Sequence, residues 1–540
     1  MNGLAADRVL RVGAAHSMAR TREVHRAVAV RGTEIVAVAP DPHGLDGLVG
    51  AATRVVDGPD LTLLPAFCDA HEHLLESAKN TALVPVGQAR SLAEFTAAIR
   101  AAAEGAAAGQ WVQTSIAWHE SNLAEGRLPT RVELDAASPD HPVLARRGGH
   151  LAVANSVALQ AAGITAATPD PPGGAIGHSD DGQLNGVLES AAVYRVLAQV
   201  PPLPSEALVE GLRQASAAYA ALGVGTIREA LISVDELGVY QAAWEAGALS
   251  VRARPLIRVP NDVGADAAID LVEGLGVHSG FGDDWLRVWG LKLVLDGGVE
   301  GGATDEPYAN DPANRGHLNW DPEVMFQVCV AAARRGWRIG THAVGDRAVR
   351  VVLDVYERVT NELGSLAPAT LVVEHALLAD PAQQARAVRL GVGVTVQHAL
   401  LWNMASEMLT TWGPERTARV GPVDQWLDAG AILAAGTDIV RPFNPMTNVW
   451  GMVTRGTNSP GIQGPEHAID RHTAVELYTT DGARLDREEQ WRGTLGVGRL
   501  ADIVAYPADP FRIDLDQLAA LTPTFTMVGG RVVHDPAGLL

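Results

Sequence analysis

An apolar run over residues 61–74 reads Leu-Thr-Leu-Leu-Pro-Ala-Phe-Cys-Asp-Ala-His-Glu-His-Leu. Residues two apart in a strand share a face, so His71 and His73 point the same way at the end of a buried strand. Two imidazoles converging on one point can hold one divalent metal ion. Taken alone, an HxH reads more readily as a pair of solvated loop histidines, so the decision rests on the rest of the chain. Further groups able to bind metal or move protons stand at the ends of other apolar runs. Lys292 lies in GLKLVLDGG, His342 in GTHAVGDRA, Glu374-His375 in VVEHA and Asp438 in AAGTD. Four imidazoles, one lysine and one carboxylate at like positions favour a metal centre over scattered core histidines.

These groups need a scaffold that brings strand ends together. From Ser205 the pattern alternates helix and strand. The expected strands are Val224–Ala230, Val251–Val259, Leu286–Leu295, Trp337–His342, Thr370–His375, Val392–Gln397 and Ala431–Ala435. With the strand ending at His71 that makes eight, the number of a TIM (β/α)8 barrel, whose catalytic groups sit at the C-terminal strand ends. Residues 8–57 and 500–534 contain short alternating runs separated by Gly and Pro, too few at either end for a stable sheet. The two ends are expected to pair into one composite β-sandwich. The expected organisation is sandwich over 1–62 and 486–540, first barrel strand over 63–74, an α/β insertion over 75–204 that covers the site, and the remaining barrel over 205–485. Within the insertion, Thr130 and Glu133 have the spacing of a capping box.

The chain has 540 residues, 47% of them hydrophobic, and a net charge of −21. It can bury a large core, and its charge argues against sequence-independent nucleic-acid binding. Two cysteines, Cys68 and Cys329, sit in apolar contexts with no CxxC, so no disulfide framework is expected. No signal peptide and no membrane-spanning run is visible, which gives a cytoplasmic expectation. A small-molecule substrate and a homodimer are the expected partners.

The ordered set PAFCDAHEH, HPVLARRGGHLAVANSVAL, GGAIGHSDDGQLNGVLESA, LKLVLDGG, THAVGDRA, VVEHA, GTD and GTLGVGRLADIVAY resembles the amidohydrolase superfamily, in its YtcJ-like (amidohydrolase family 3) branch. The resemblance spans nearly the whole chain. It implies a TIM barrel with a flanking β-sandwich and zinc-dependent hydrolysis of C–N bonds, and within the branch the activity it resembles most is deformylation of N-substituted formamides. It further implies that His71, His73 and Asp438 bind one metal, that His342 and His375 bind a second, and that Lys292, carboxylated on its amine, bridges them. An uncarboxylated Lys292 beside a single ion stays open, with His342 or His375 then free to contact substrate.

Metal chemistry gives the expected mechanism: a water of lowered pKa attacks the carbonyl, and Asp438 carries its proton to the departing amine. Asp438 as a helix N-cap is compatible with that role. Asp69 and Asp346 are candidates to orient an imidazole from behind, although Asp346 equally suits a helix cap. Glu374 alternates away from His375 and is expected to face the barrel–helix layer. His150, which the resemblance places at the metal pocket, His398, where the family more often has proline, and Trp118 are candidate substrate contacts. Trp402 and Trp412 could wall an apolar pocket, and the Gly-rich loop Asp296–Tyr308 has the composition of a lid. A cyclic amide or lactone hydrolase would use the same site. A deaminase would need an acid three residues after His342, where Gly345 stands, and a non-catalytic relic would lack ligands.

Overall fold

The computed structural model describes residues 5–116, 118–148, 151–171, 174–261 and 263–540. The chain forms two compact units, Met1–Leu74 with Ser216–Leu540, and Leu75–Ala215. The boundary between them falls inside the helix Ser205–Ala220 rather than at residue 204.

The larger unit is built on short parallel strands. They are β1 (Phe67–Glu72), β2 (Val224–Glu229), β3 (Arg252–Ala253), β4 (Leu256–Arg258), β5 (Gly290–Val294), β6 (Ile339–Ala343), β7 (Leu371–His375), β8 (Gly393–Val396) and β9 (Ile432–Ala435). One sheet runs β3-β2-β1, and the other runs β4 to β9 in chain order. Every pairing in both is parallel, and the strands are buried on both faces, as near-continuous apolar runs require. Each expected strand is present, but Val251–Val259 is interrupted between β3 and β4. Pro255, at the break, has no N–H to give to a ladder, and the Arg254 guanidinium beside it is paired with Glu488. Beyond β9, the Asp438 N–H donates to the His71 carbonyl at 3.0 Å, tying the loop there to the end of β1.

Helices between the strands supply the outer layer. Asp321 and Asp380 cap helices that open with proline, where a missing N–H does no harm. The helix Asp346–Leu363 buries Val349, Val352, Leu353, Tyr356 and Val359, one stripe at the helical period. That stripe joins Leu291, Trp337, Val373 and Trp426 in a single core.

Strands from both ends of the chain join side by side in a further sheet, meeting where Ile503–Tyr506 pairs with Arg54–Pro65. Its order is Arg531–His534, Phe525–Val528, Ile503–Tyr506, Arg54–Pro65, Arg8–His16, Val24–Arg31, Glu34–Ala39. The composite β unit is therefore hydrogen-bonded as one seven-stranded sheet, where two sheets of a sandwich were expected. Alternation gives it two apolar faces, one holding Leu10, Val28, Leu63 and Ile503, the other Val9, Ala27 and Ala29. The apolar run at 61–74 is thus two strands, not one. Leu61–Pro65 completes this sheet, and β1 starts at Phe67, whose N–H reaches the Gly223 carbonyl.

The smaller unit has its own five-stranded sheet, in the order Val112–Gln113, Val143–Arg147, Leu151–Ala154, Leu184–Ser190, Gly174–His178. The expected capping box is present, with Thr130 and Glu133 exchanging hydrogen bonds at the start of Arg131–Ala137. The strand expected over Trp111–Trp118 is only two residues long. Both cysteines are buried and free. Among the described residues, no helix is long and apolar enough to cross a membrane.

Candidate metal centre

His71 lies in β1, His73 follows its end, and Asp438 stands three residues beyond β9. Each offers one ligand atom, and these atoms lie within 4.8 Å of one another. Asp438 Oδ1 is 3.2 Å from His73 Nε2 and 3.8 Å from His71 Nε2. His375 and His342 adjoin this group without belonging to it. The His375 ring centroid is 4.5 Å from that of His71 and 4.6 Å from that of His342. Lys292 is buried in β5. Of the six expected ligands, then, three converge tightly and the other three stand around them.

The backbone is bent to achieve this. His375 has φ 73° and Asp438 φ 57°, a left-handed conformation that costs a non-glycine residue of order 1–3 kcal/mol and persists only where its surroundings enforce it. At His375 the bend has a further effect. Successive residues of an extended strand point to opposite faces, so Glu374 was expected to face the helices. Instead Glu374 is fully buried and its carboxylate accepts from His71 Nδ1 at 2.8 Å, while His375 turns to the same cluster.

Every ring has a partner at or near its other nitrogen. His71 has Glu374, and His375 Nδ1 contacts Gln397 Oε1 at 2.8 Å. His342 Nε2 contacts the Gly297 carbonyl at 3.1 Å, and His73 Nδ1 faces Glu229 at 3.9 Å. Such outer contacts fix ring orientation in metal sites. None of these four partners was a sequence candidate for that role: Glu374 was read as facing the helices, and a glutamate or glutamine inside an apolar strand, or a backbone carbonyl, carries no spacing signal of its own.

The candidates named from sequence for that role act elsewhere. Asp69 takes backbone N–H groups of His71 and Thr437 and the Thr437 hydroxyl, so it holds main chain and not an imidazole. Glu72 clamps the same loop through the N–H groups of Ile439 and Val440. Asp346 accepts from the N–H of Asp305 and of Arg347, at a helix start whose N-cap is Gly345. The carboxylate near His342 is Asp296, at 3.5 Å. Asp296 also accepts from the N–H groups of Ala303, Val344 and Gly345, so the Gly-rich loop read as a lid is pinned at its base.

Of the substrate candidates, His398 is buried, with Nε2 on the Gly456 carbonyl. Trp118 belongs to the core of the smaller unit and donates to the Arg146 carbonyl. Trp402 packs edge-on against Phe443, Trp412 is buried, and His150 lies outside the described residues.

The electrostatics suit a cation. Burial, then Lys292, lowers His71 to about 4 and His342 to about 3, so both rings are neutral and their lone pairs available. Burial also opposes charge on His73, but the Asp438 carboxylate wins and raises it to about 9. Desolvation opposes charge on the half-buried Asp438, but His71 and His73 outweigh it and hold the carboxyl well below the ordinary range. Burial brings Lys292 down to about 8 against the pull of Glu374 and Asp438. A neutral His71, an ionised Asp438 and a His73 that gives up its proton to an incoming cation form the donor set of a divalent transition metal, and the residues present fit such an ion.

The profile of the amidohydrolase family matches residues 54–534. The N-substituted formamide deformylase of Arthrobacter pascens is 26% identical over 528 residues, 95% of each chain. The putative amidohydrolase YtcJ of Bacillus subtilis is 27% identical over 487 residues, 88% of this chain and 89% of that one. Among solved structures, an uncharacterized metal-dependent hydrolase from Pyrococcus horikoshii is similar in fold, with TM-score 0.77 at 23% identity over 95% of this chain and 99% of that chain. The shared architecture is a TIM-barrel-like α/β fold.

Proposed function

The chain belongs to the amidohydrolase family, and from that premise we propose that it hydrolyses the C–N bond of a small N-acyl or N-formyl amide. In this reading the parallel strands close into one cylinder, and His71, His73 and Asp438 hold a zinc ion at its rim. The observation that carries the reading is the convergence of those three donors within 4.8 Å, at the strand ends where barrel enzymes keep their chemistry. The formyl preference rests on the likeness to the deformylase over nearly its whole length. Two buried free cysteines suit a cytoplasmic setting.

When bound, the ion supplies Lewis acidity, lowering the pKa of water and polarising a carbonyl. The chain's own groups do the rest. Asp438, ionised and facing the cluster, takes a proton from the attacking water at a carboxylate oxygen and returns it to the amine nitrogen as the C–N bond breaks. The neutral rings of His71 and His342 present lone pairs without first losing a proton. Lys292, near 8, has a neutral fraction at physiological pH. Its free amine can add CO₂, releasing a proton and leaving a carbamate anion that, with His342 and His375, would help to hold a second ion.

The test is metal analysis of the purified protein together with formate and amine release from N-substituted formamides. One or more equivalents of zinc and turnover that a chelator abolishes are expected. Lactams and lactones form the comparison arms, and preference for either moves the substrate to the ring carbonyl. Full turnover by protein free of transition metal, or inertness on all three substrate classes, overturns the reading.

A further inference from the structure

The partners of His71 and His375 are not independent. Glu374 Oε2 accepts from His71 Nδ1 at 2.8 Å, from Arg228 at 2.9 Å and from the Thr395 hydroxyl at 2.6 Å. Its other oxygen takes a second Arg228 N–H at 2.7 Å. Gln397 donates its amide Nε2 to Thr395 Oγ1 at 2.9 Å, and its Oε1 contacts His375 Nδ1 at 2.8 Å. Arg228, Glu374, Thr395 and Gln397 are all buried, so water cannot substitute for a missing link.

This chain has one direction only. A guanidinium donates and never accepts, so the Glu374 carboxylate facing it is an acceptor at every contact. Thr395 must therefore spend its single hydroxyl proton on Glu374, and its oxygen is left to accept. That forces the NH₂ end of Gln397 toward Thr395 and its carbonyl toward His375. Both rings must then carry their proton on Nδ1, and both keep the Nε2 lone pair free.

We propose that Arg228, acting through Glu374, Thr395 and Gln397, is the positioning residue that sets the tautomers of His71 and His375 together, so that groups from β1 and β7 are prepared for metal by one buried cation. Arg228 is itself fixed, with its guanidinium 3.7 Å from the Trp289 ring centroid and a further bond to the Ala70 carbonyl. The inference deepens the metal reading above and rests on it for its purpose, although the hydrogen-bond logic stands without a metal.

The test uses the full chain with ¹⁵N-labelled histidine, metal-free, reading imidazole tautomers by long-range ¹⁵N–¹H correlation, alongside cobalt(II) affinity by chelator competition. In the parent protein His71 and His375 are expected as single Nδ1–H tautomers. Thr395→Val should free Gln397 to turn over and lose the unique tautomer at His375 alone, and Thr395→Ser should keep it. Glu374→Gln should disturb both rings and weaken cobalt binding roughly 10–100-fold, the range for such outer contacts. If Thr395→Val does not fold, Gln397→Met carries the same test at His375. An unchanged His375 tautomer in the folded variant, or a Thr395→Ser protein as disturbed as Thr395→Val, overturns the proposal. A parent protein that binds no cobalt refutes the metal reading instead, and the tautomer spectra still judge the chain of bonds.

Discussion

Asp438 stands between His71, His73 and His375, in a left-handed backbone conformation and held ionised. Asp438→Asn keeps the shape and removes the proton acceptor. It should lower kcat roughly 10²–10⁴-fold, the usual contribution of a positioned acid–base group, measured as formate or amine release. The neighbouring rings predict a pH signature of the metal-free protein. His73 is raised from 6.5 to about 9, so its protonated form stabilises the fold below pH 6.5, and that stabilisation is lost as pH rises through 9. His71 is lowered from 6.5 to about 4, so its share is lost as pH falls over that interval. Between them, these two rings favour the metal-free fold most near pH 6.5, and calorimetry across pH 4–9 on the parent and on His73→Gln checks the His73 share, which the variant should lose below pH 9. Metal bound at His73 must displace its proton, so zinc affinity should climb by about tenfold per pH unit up to about pH 9, read by chelator competition. All of these residues were legible in the sequence as strand-end groups. Glu374 and Gln397 were not, since the alternation that hides Glu374 is broken by a dihedral angle at His375 that no pattern announces.

A loop can be rich in glycine and still be rigid. Asp296 receives three backbone N–H groups from two different loops, and the Tyr308 hydroxyl closes onto the Gly302 carbonyl. Asp296→Asn turns an NH₂ toward at least one of those donors. It should cost about 1–3 kcal/mol, the penalty for stranded buried polar groups, with hydrogen exchange accelerating at residues 297–304 and 344–345. Composition alone suggested a lid because glycine reports permitted conformations and not the acceptors that restrain them. The same limit applies at β3 and β4, where an apolar run looked continuous and Pro255 with Arg254 divides it. Strand number and order were readable because buried parallel strands are apolar throughout. Their exact ends were not, because they depend on which neighbour supplies the ladder.

At the scale of the molecule, the strand bearing His71 is a direct continuation of the sheet built from both termini. Arg252 follows β2 in the same sheet as β1 and pairs with Asp502 through two bonds of 2.8 and 2.9 Å, nearly out of solvent. Asp502→Ala leaves a buried guanidinium without its counter-charge and should destabilise the protein by about 3–5 kcal/mol, measured by denaturant unfolding. Pairing of the two ends was evident in the sequence from their matching short strands. The count of sheets was not, since register is settled by contacts far apart along the chain.

That pairing has a consequence for synthesis. Ile503–Tyr506 hydrogen-bonds beside Arg54–Pro65, the segment that leads straight into the first two imidazoles, so the partner that steadies them leaves the ribosome long after they do. On the function proposed above, the nascent chain would carry an unfinished cation trap through most of translation, and secure loading of the ion would be one of the last events in its maturation.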